Sequence, residues 1–242
     1  MVLLFLIMPR IGSLWAVPNL SKAAKTGVSD SMAPGDFSSL SRSGGVAFRV
    51  TFEGQVPSQS QLYWRGLIFS DFDGRRWTQA EPSDYLRSAG PMVDWQSGRQ
   101  APWRALSQGQ GPETKYSVII EATQQNWLYS LQLPSAYSGD MGVGLARDFR
   151  LISKALVNQR SQYRVVSQLS NRVEFEALPE WRLKRELQLP NGFNSRSVAT
   201  AKLWRSQSGS DQAYIERVLD HYRASFYYTL EPPALGRNTV DE

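Results

Sequence analysis

Apolar and polar residues alternate over Val46–Phe52, the clearest periodic stretch of the chain. Val46, Phe48, Val50 and Phe52 fall on one side of an extended segment, and the residues between them fall on the other. A period of two places successive side chains on opposite faces of a strand. The pattern therefore predicts a strand with one face buried and the other in solvent.

Short apolar runs separated by turn-forming residues recur through the middle of the chain. Such spacing is typical of antiparallel sandwiches and barrels, whose short strands follow one another closely. We therefore predict an α+β, mainly β fold with an antiparallel β-sandwich or barrel over residues 45–178. The further strands predicted are Tyr116–Ala122, Trp127–Leu131, Phe149–Ile152, Tyr163–Ser167 and Val173–Phe175.

The segment Tyr63–Trp77 (YWRGLIFSDFDGRRW) has the densest mixture of aromatic, apolar and turn-forming residues. It predicts a β-hairpin in which Leu62–Phe69 is the outgoing strand and Arg75–Thr78 is the return strand. The turn is assigned to Asp71–Gly74, because Asp tolerates the left-handed region and Gly adopts a positive φ freely.

A long connection rich in Pro, Gly, Ser and Gln follows at residues 79–111. Connections of this length without regular structure are usually functional or disordered. Its tryptophans, Trp95 and Trp103, are expected to fold back onto the sheet, and the alternative is that they contact a partner.

The hydrophobic period changes after Leu178 and Pro179, and two amphipathic helices are predicted beyond them. Asn194 is a candidate N-cap for a helix over Ser195–Arg205, with Ala199 and Leu203 on its inner side.

The second helix has Ser208 or Ser210 as its candidate N-cap. Its apolar residues are spaced by four, three and four positions, which places them on one face of a helix. They are Ile215, Leu219, Tyr222 and Phe226.

The first eight residues, MVLLFLIM, are uninterrupted apolar residues with no positive charge before them. Eight helical residues span about 12 Å, which is short of the roughly 30 Å hydrocarbon core of a bilayer. We interpret residues 1–17 as the end of a transmembrane helix, with Trp15 at the interface. A buried helix or a disordered start is the alternative. Residues 18–44, rich in small and polar residues, are expected to form a linker or arm.

Composition excludes several kinds of chemistry. The chain has no cysteine and one histidine, which excludes disulfides, thiolate nucleophiles and sites built from cysteine or several histidines. Its net charge is +5, but the basic residues are scattered apart from Arg75–Arg76 and the run Arg182–Arg185. A nucleic-acid partner is not expected, because it requires a basic stripe with aromatic residues placed among the charges.

The residues alone suggest three kinds of candidate site. His221 is the one possible base for a Ser-His-Asp set, but no G-x-S-x-G motif accompanies it, so we expect a surface or groove-lining histidine. The turn Asp71–Gly74 resembles part of a calcium loop, but Phe69 and Ala80 occupy positions where an EF-hand needs Asp and Glu. No metal site is predicted.

Paired carboxylates for glycoside cleavage depend on tertiary geometry, and nothing in the sequence singles out a pair. The available acids are Asp36, Asp71, Asp73, Glu121, Glu174 and Glu176.

Five segments of the chain resemble segments of the TgpA-type membrane-anchored transglutaminase-like proteins of bacteria, and they occur in the same order along the sequence. No single segment is as specific as a metal-ligand signature, but together they extend over nearly the whole chain. Besides Tyr63–Trp77 they are Met32–Phe52 (MAPGDFSSLSRSGGVAFRVTF), Asn126–Pro134 (NWLYSLQLP), Tyr163–Ser167 (YRVVS) and Phe226–Glu242 (FYYTLEPPALGRNTVDE).

The resemblance implies an organisation for the chain. Residues 179–242 would be the beginning of an incomplete papain-like transglutaminase core, after the β-domain at 45–178. It also implies a bacterial inner membrane protein, attached through its N-terminal helix, whose domain faces the periplasm.

The resemblance also implies a chemistry. A Cys-His-Asp set would attack a protein glutamine, release ammonia and transfer the acyl group to an amine, without a cofactor. The cysteine is expected beyond Glu242, so no catalytic residue is expected in this chain. Tyr228 is the one candidate residue for lining the substrate cleft.

Two alternatives from other classes remain open. The chain could be a non-enzymatic β-module that binds a cell-envelope partner through residues 79–111. It could also have an assembly role, in which the β-domain orients the core relative to the membrane or to another subunit.

Overall fold

The computed structural model describes residues 31–33, 45–79, 93–95, 104–105, 107–173, 178, 180–227, 236–238 and 240–241. Most of the regular structure in this part of the chain is extended. The strands are β1 (Ser31–Met32), β2 (Phe48–Glu53), β3 (Trp64–Arg65), β4 (Asp71–Phe72), β5 (Trp77–Thr78), β6 (Val93–Asp94), β7 (Ser107–Ile120), β8 (Trp127–Leu128), β9 (Ser130–Leu131), β10 (Leu133–Ser138), β11 (Val143–Ala146), β12 (Leu151–Ser153) and β13 (Ser161–Val173). The helices are a 3₁₀ turn at Gln59–Gln61 and the α-helices α1 (Glu180–Glu186), α2 (Ser195–Gln207) and α3 (Asp211–Ser225).

The main sheet has the order β10-β13-β7-β2, and every neighbouring pair in it is antiparallel. The two long strands β7 and β13 lie side by side at its centre. Along β7, Tyr116, Val118 and Ile120 are buried while the residues between them are partly exposed. This alternation gives the sheet one inner face, on which the core is built.

Three smaller sheets surround the main sheet. Strands β6, β11, β12 and β8 form an antiparallel sheet in that order, β1, β5 and β4 form a second, and β3 pairs with β9 in a third. One cluster of buried side chains joins the main sheet to β11, β12 and β8 and to the β3–β9 pair. Its largest fully buried members are Trp127, Tyr116, Tyr163, Ile120, Leu128, Leu131, Leu145 and Leu151.

Two buried tyrosine hydroxyls connect the main sheet to the segment that carries β8 and β9. The Tyr163 hydroxyl accepts a hydrogen bond from the Tyr129 N–H (2.9 Å) and donates one to the Tyr129 carbonyl (2.8 Å). The Tyr116 hydroxyl accepts from the Leu131 N–H (2.7 Å) and lies 2.9 Å from the hydroxyl of Ser167. Backbone groups that no strand partner reaches are thus satisfied inside the core.

The structure confirms a mainly β, antiparallel fold followed by helices, but there are three α-helices in the described part and not the two predicted, because α1 was not recognised from the sequence. The alternation predicted for Val46–Phe52 is confirmed over β2, where Phe48, Val50 and Phe52 are half-buried and Arg49 and Thr51 are exposed. The sandwich or barrel arrangement stays a prediction.

The other strand predictions differ from the structure mainly in length. The predicted strand Tyr116–Ala122 corresponds to the end of the much longer β7, which stops at Ile120, and Tyr163–Ser167 lies within β13. Val173 is the last residue of β13 rather than the start of another strand. Strands β10 and β11 were not predicted. Pro134 lies in β10, where it is tolerated because this strand is at the edge of the sheet and has a bulge after Pro134.

The predicted hairpin is wrong in its limits and in its outgoing strand. Leu62–Phe69 is not one strand, because only Trp64 and Arg65 are paired, and their partners are Leu131 and Ser130. Asp71 and Phe72, assigned to the turn, instead form β4 and pair with Thr78 and Trp77 of β5. The hairpin is therefore shorter than predicted, and its turn lies two residues later.

The described part of the connection at residues 79–111 packs back on the β-domain, where β6 pairs with β11. Asp94 is buried, pairs with Leu145 through β6 and forms an ion pair with Arg104 at 3.1 Å. An added Cβ on Gly144 would overlap the Trp95 ring, which shows how closely Trp95 packs on β11. The prediction that Trp95 folds back is confirmed, whereas Trp103 lies outside the described residues.

The first predicted helix exists, but its inner side was assigned wrongly. Ala199 and Leu203 are exposed, whereas Val198, Ala201 and Trp204 are half-buried. The inner side is therefore turned by about one residue from the prediction, because Trp204 supplies the largest apolar surface and faces α3.

The second predicted helix is confirmed in its position and in its cap. The Ser210 hydroxyl accepts from the Ala213 N–H (3.2 Å), so Ser210 rather than Ser208 is the N-cap. The predicted apolar row is present but is exposed, at 55% for Ile215, 44% for Leu219, 50% for Tyr222 and 62% for Phe226.

The predicted membrane-helix stub at residues 1–17 and most of the arm at 18–44 lie outside the described residues. Among the helices that are described, none has the length and apolar character needed to span a bilayer.

Replacing Tyr163 with Phe is expected to destabilise the fold by about 1–3 kcal/mol, because the buried N–H and carbonyl of Tyr129 lose their partner. Urea unfolding followed by tryptophan fluorescence measures the change. Tyr63→Phe is the matched control: Tyr63 is 60% exposed, so its loss of a hydroxyl should change stability by less than about 0.5 kcal/mol. Equal effects of the two substitutions would contradict the role given to Tyr163.

Stability is expected to fall as the pH rises above 10. Burial raises the pKa of Tyr116 to about 12 and that of Tyr163 well above its ordinary value of 10.0. The folded state therefore retains protons that the unfolded state has lost, and stability present below pH 10 decreases as the pH rises through the folded pKa. Thermal unfolding at pH 9 to 11.5 checks this. Tyr116→Phe should show a shallower decline, and an identical slope would count against the explanation.

Candidate functional site

The turn of the hairpin β4–β5 is formed by Asp73–Arg76 and held by the side chain of Asp73. Its Oδ1 accepts from the N–H groups of Arg75 (2.8 Å) and Arg76 (2.6 Å), while the Asp73 N–H donates to the Arg76 carbonyl (3.1 Å). These backbone hydrogen bonds, that from Arg76 above all, lower the pKa of Asp73 below its usual 3.8. The carboxylate that suggested a calcium loop is thus occupied by the backbone of its own turn.

The turn is seated on the start of the helical region. Gly74 is buried with φ +104°, and an added Cβ there would overlap the ring of Phe193. The Arg237 guanidinium lies 4.7 Å from the centre of the same ring. Phe193 therefore connects the hairpin turn to the segment 236–238 near the C-terminal end of the chain.

Asn194 is the N-cap residue of α2, as predicted, and its carbonyl accepts from the Val198 N–H (3.0 Å). It is 5% exposed and has left-handed backbone angles (φ 50°, ψ 46°), and its side chain makes no capping bond to the helix. Its Nδ2 donates to the Gly74 carbonyl (2.9 Å), and its Oδ1 accepts from the Val240 N–H (3.1 Å). Its own N–H donates to Oδ1 of Asn238 (2.9 Å). The prediction is therefore confirmed for the position of the cap and wrong for its side chain, because tertiary partners bind both ends of the amide.

The side-chain cap of α2 comes from Asp241 instead. Its carboxylate accepts from the N–H of Arg196 (3.0 Å) and of Ser197 (2.7 Å), two donors that the first turn of a helix leaves free. The Ser197 hydroxyl donates to the Val240 carbonyl (3.0 Å). Desolvation would raise the pKa of Asp241, but the hydrogen bonds from Ser197 and Arg196 outweigh it and lower the pKa below 3.8. A carboxylate at a helix N-terminus is also favoured by the helix dipole.

A groove of about 390 Å³ lies between α2 and α3 and extends to β4 and the 240–241 segment. Aromatic and apolar side chains make up most of its lining. They include Phe72 from the hairpin, Trp204 from α2, and Tyr214, His221 and Phe226 in and just after α3.

His221 lines this groove, as the sequence predicts, and its neighbours are aromatic. Its ring lies 4.9 Å from that of Trp204 and 5.6 Å from that of Phe226, both in edge-on arrangements. Its Nδ1 lies 3.2 Å from the hydroxyl of Ser225, one helical turn away. These contacts place His221 in an aromatic cluster and supply no acid to orient it as a catalytic base.

The remaining candidates are dispersed. Tyr228, Asp36, Glu174 and Glu176 lie outside the described residues. Glu121 forms an ion pair with Arg49 at 2.6 Å across the main sheet. Within the described ranges, no three His, Asp or Glu side chains come together as a metal site.

Sequence reasoning missed the junction formed by Gly74, Phe193, Asn194 and the segment 236–241. Local pattern gave Asn194 a role within its own helix, whereas its side-chain partners are 120 and 46 residues away in the chain. The one signal that could have located the junction is the segment Phe226–Glu242, which the family resemblance includes and which carries Asp241.

Comparison with known proteins identifies the relationship that this architecture suggests. The sequence model described as the TgpA N-terminal domain matches residues 1–174, which is more than half of the chain. The chain belongs to the TgpA family. The match includes the whole of β1–β13 and four of the five segments that resemble the family. The fifth, Phe226–Glu242, lies beyond residue 174 and is included in the full-length similarity to a Pseudomonas aeruginosa relative. The resemblance is therefore confirmed.

The similarity to TgpA extends beyond the matched domain. The chain is 39% identical, over its full length, to the protein-glutamine gamma-glutamyltransferase of Pseudomonas aeruginosa, of which it spans 34%. It also matches the crystal structure of the periplasmic domain of TgpA from Pseudomonas aeruginosa with a TM-score of 0.74 and 38% identity, over 89% of this chain and 69% of that one. The ethylmercury-bound structure of the same domain gives a TM-score of 0.73 at 39% identity, over 89% of this chain and 70% of that one.

Replacing Asp73 with Ala is expected to lower stability by about 1 kcal/mol, because two N–H groups of the turn lose their acceptor. Asp73→Asn retains Oδ1 and should lose less. Since the pKa of Asp73 is lowered in the fold, the advantage of Asp over Asn is present above pH 3.8 and is lost as the pH falls through the folded value. Melting curves of the three proteins at pH 7 and pH 3 measure this, and an unchanged midpoint for Asp73→Ala would refute it.

Proposed function

We propose that this chain is the extracytoplasmic N-terminal portion of a membrane-anchored transglutaminase-like protein. In this proposal residues 1–17 end a membrane helix, 18–44 form a linker, 45–178 form the β-domain, and 179–242 begin the catalytic core. The domain faces the periplasm of a bacterial cell. Membership of the TgpA family and the similarity to a TgpA periplasmic domain support this organisation.

The observation that carries the proposal is the exposed apolar row of α3. Ile215 and Leu219 in α3 and Phe226 just after it fall in one row, and each is at least 44% exposed. A row of this kind normally packs against another element, since burying each such side chain is worth about 1.5–3 kcal/mol. A partial core that continues beyond residue 242 supplies the missing surface. The chain spans only 34% of the length of its curated relative, which leaves ample sequence for it.

The proposed reaction of the whole protein is acyl transfer from a protein glutamine. A cysteine thiolate beyond Glu242 attacks the carboxamide carbon, ammonia leaves, and a thioester forms. An amine then attacks the thioester, forms the new amide bond and restores the thiol, with His and Asp of the same set handling the protons. Protein substrates are suggested by the name of the relative, and no cofactor is required.

The contribution of this chain is structural in that reaction. Without a cysteine it lacks the nucleophile. The groove between α2 and α3 adjoins the proposed continuation of the core, and Tyr228, two residues beyond Phe226, is proposed to line the substrate cleft.

A non-enzymatic role in binding or assembly is the alternative. Its proposed binding surface is residues 79–111, which contain two tryptophans. One of them, Trp95, packs on Gly144 within the fold and is therefore not free to contact a partner. The enzymatic assignment is therefore preferred.

The 242-residue chain is expected to show no incorporation of a fluorescent amine into casein. A protein extended beyond Glu242 into the proposed cysteine-bearing helix should incorporate it, and iodoacetamide should abolish the activity. The matched control is the extended protein with that cysteine replaced by Ser, which should be folded and inactive.

Activity in the 242-residue chain would overturn the assignment of the nucleophile. A folded extended protein without thiol-dependent activity, whether transfer or hydrolysis of the glutamine, would favour the binding or assembly role instead.

A further inference from the structure

We propose that Asn194 is a positioning residue, which couples the hairpin turn at Gly74 to the segment 236–241 and so sets the place at which the chain leaves the helical region. The structural coupling stands on the contacts described above. Its consequence for catalysis rests on the proposed function, because that function places the nucleophile shortly after this segment.

Both ends of the Asn194 amide are hydrogen-bonded, and they contact different parts of the fold. Nδ2 donates to Gly74 in the β-domain, and Oδ1 accepts from Val240 in the C-terminal segment. Of the common side chains, few present a donor and an acceptor at this spacing, and Asn is also unusually tolerant of a left-handed backbone. Asn194 therefore meets two demands at once.

The C-terminal segment is attached to α2 at several points. Asn238 accepts from Asn194, Ser197 donates to Val240, and Asp241 receives the free N–H groups of Arg196 and Ser197. The Asp241 N–H also donates to the Asn238 carbonyl (3.0 Å), which folds the segment into a turn. Its path is thus fixed in position by the beginning of α2.

The hairpin turn packs closely on the same junction through Gly74. Gly74 lies against one side of Phe193, and Arg237 approaches the ring of Phe193 as well. Any side chain at position 74 would have to push the turn away from Phe193. A movement of the β-domain relative to α2 would therefore break the Asn194–Gly74 bond first, while both helices keep their own hydrogen bonds.

The absence of cysteine from this chain makes a direct distance measurement possible. Cysteines introduced at Thr51 in β2 and Lys202 in α2, both exposed, take nitroxide labels that report the separation of the β-domain from the helical region. Pulsed electron–electron double resonance then gives the distribution of the distance between the two labels in each variant.

Gly74→Ala and Gly54→Ala form a matched pair for this measurement. Their φ values are nearly equal, at +104° and +106°, so both substitutions strain the backbone alike, but a Cβ at position 54 has no atom within 4 Å. Gly74→Ala is expected to shift or broaden the distance distribution, and Gly54→Ala to leave it unchanged. The same distribution in both variants would overturn the coupling.

Two substitutions of Asn194 separate its two contacts. Asn194→Asp keeps an acceptor for Val240 but places an oxygen against the Gly74 carbonyl, so the distance distribution should broaden while the Val240 amide stays protected from hydrogen exchange. Asn194→Gly permits the same backbone and removes both bonds, so exchange at Val240 should also accelerate, by about tenfold or more, the equivalent of one hydrogen bond. Unchanged exchange at Val240 in Asn194→Gly would refute the proposal.

The consequence for catalysis is tested in the extended protein. Asn194→Asp should lower kcat about tenfold and leave KM unchanged, since it displaces the nucleophile without touching the substrate. If the native extended protein has no transfer activity, the proposed function fails, and the distance and exchange measurements still decide the coupling. If it is active and Asn194→Asp leaves kcat unchanged, the positioning role in catalysis is wrong.

Discussion

The β-domain depends on two tyrosine hydroxyl groups in a largely apolar interior. Tyr116 and Tyr163 project from neighbouring central strands of the main sheet, and their hydroxyls reach the backbone of residues 129 and 131. An unpaired backbone group in a dry core costs a large fraction of a domain's total stability, so the segment must sit where the hydroxyls can reach it. These bonds thereby fix the position of the segment with β8 and β9 relative to the main sheet. Apolar packing alone would define that position less specifically.

A different principle joins the β-domain to the helices. The junction combines the packing of Gly74 on Phe193 with directional contacts on the amide of Asn194 and on the carboxylate of Asp241. Directional contacts fix orientation better than they add stability. These contacts orient the start of α2 against the hairpin turn of this TgpA-family protein.

The sequence predicted the features that depend on local periodicity and local chemistry. The alternation of β2, the position of both amphipathic helices and the Ser210 cap follow from neighbours within a few residues. The limits of the hairpin were wrong because Trp64 and Arg65 pair with a strand about 65 residues further along, which no local pattern records. The inner side of α2 was wrong because it depends on where α3 lies, and the junction was missed because Asn194 has distant partners. Membership of the family was predictable because the resemblance rests on segments that occur in a fixed order along the chain. That order can be read from the sequence, whereas tertiary contacts cannot.

The cap of α2 has a consequence for the order of events during synthesis. Because Asp241 lies 45 residues after Arg196, a nascent polypeptide emerging from the ribosome produces this helix well before the carboxylate that completes its first turn. The β-strands are all made earlier still, so they can assemble while the helix start remains unfinished. Closure of the junction can therefore follow only after the strands and the α-helices have been made.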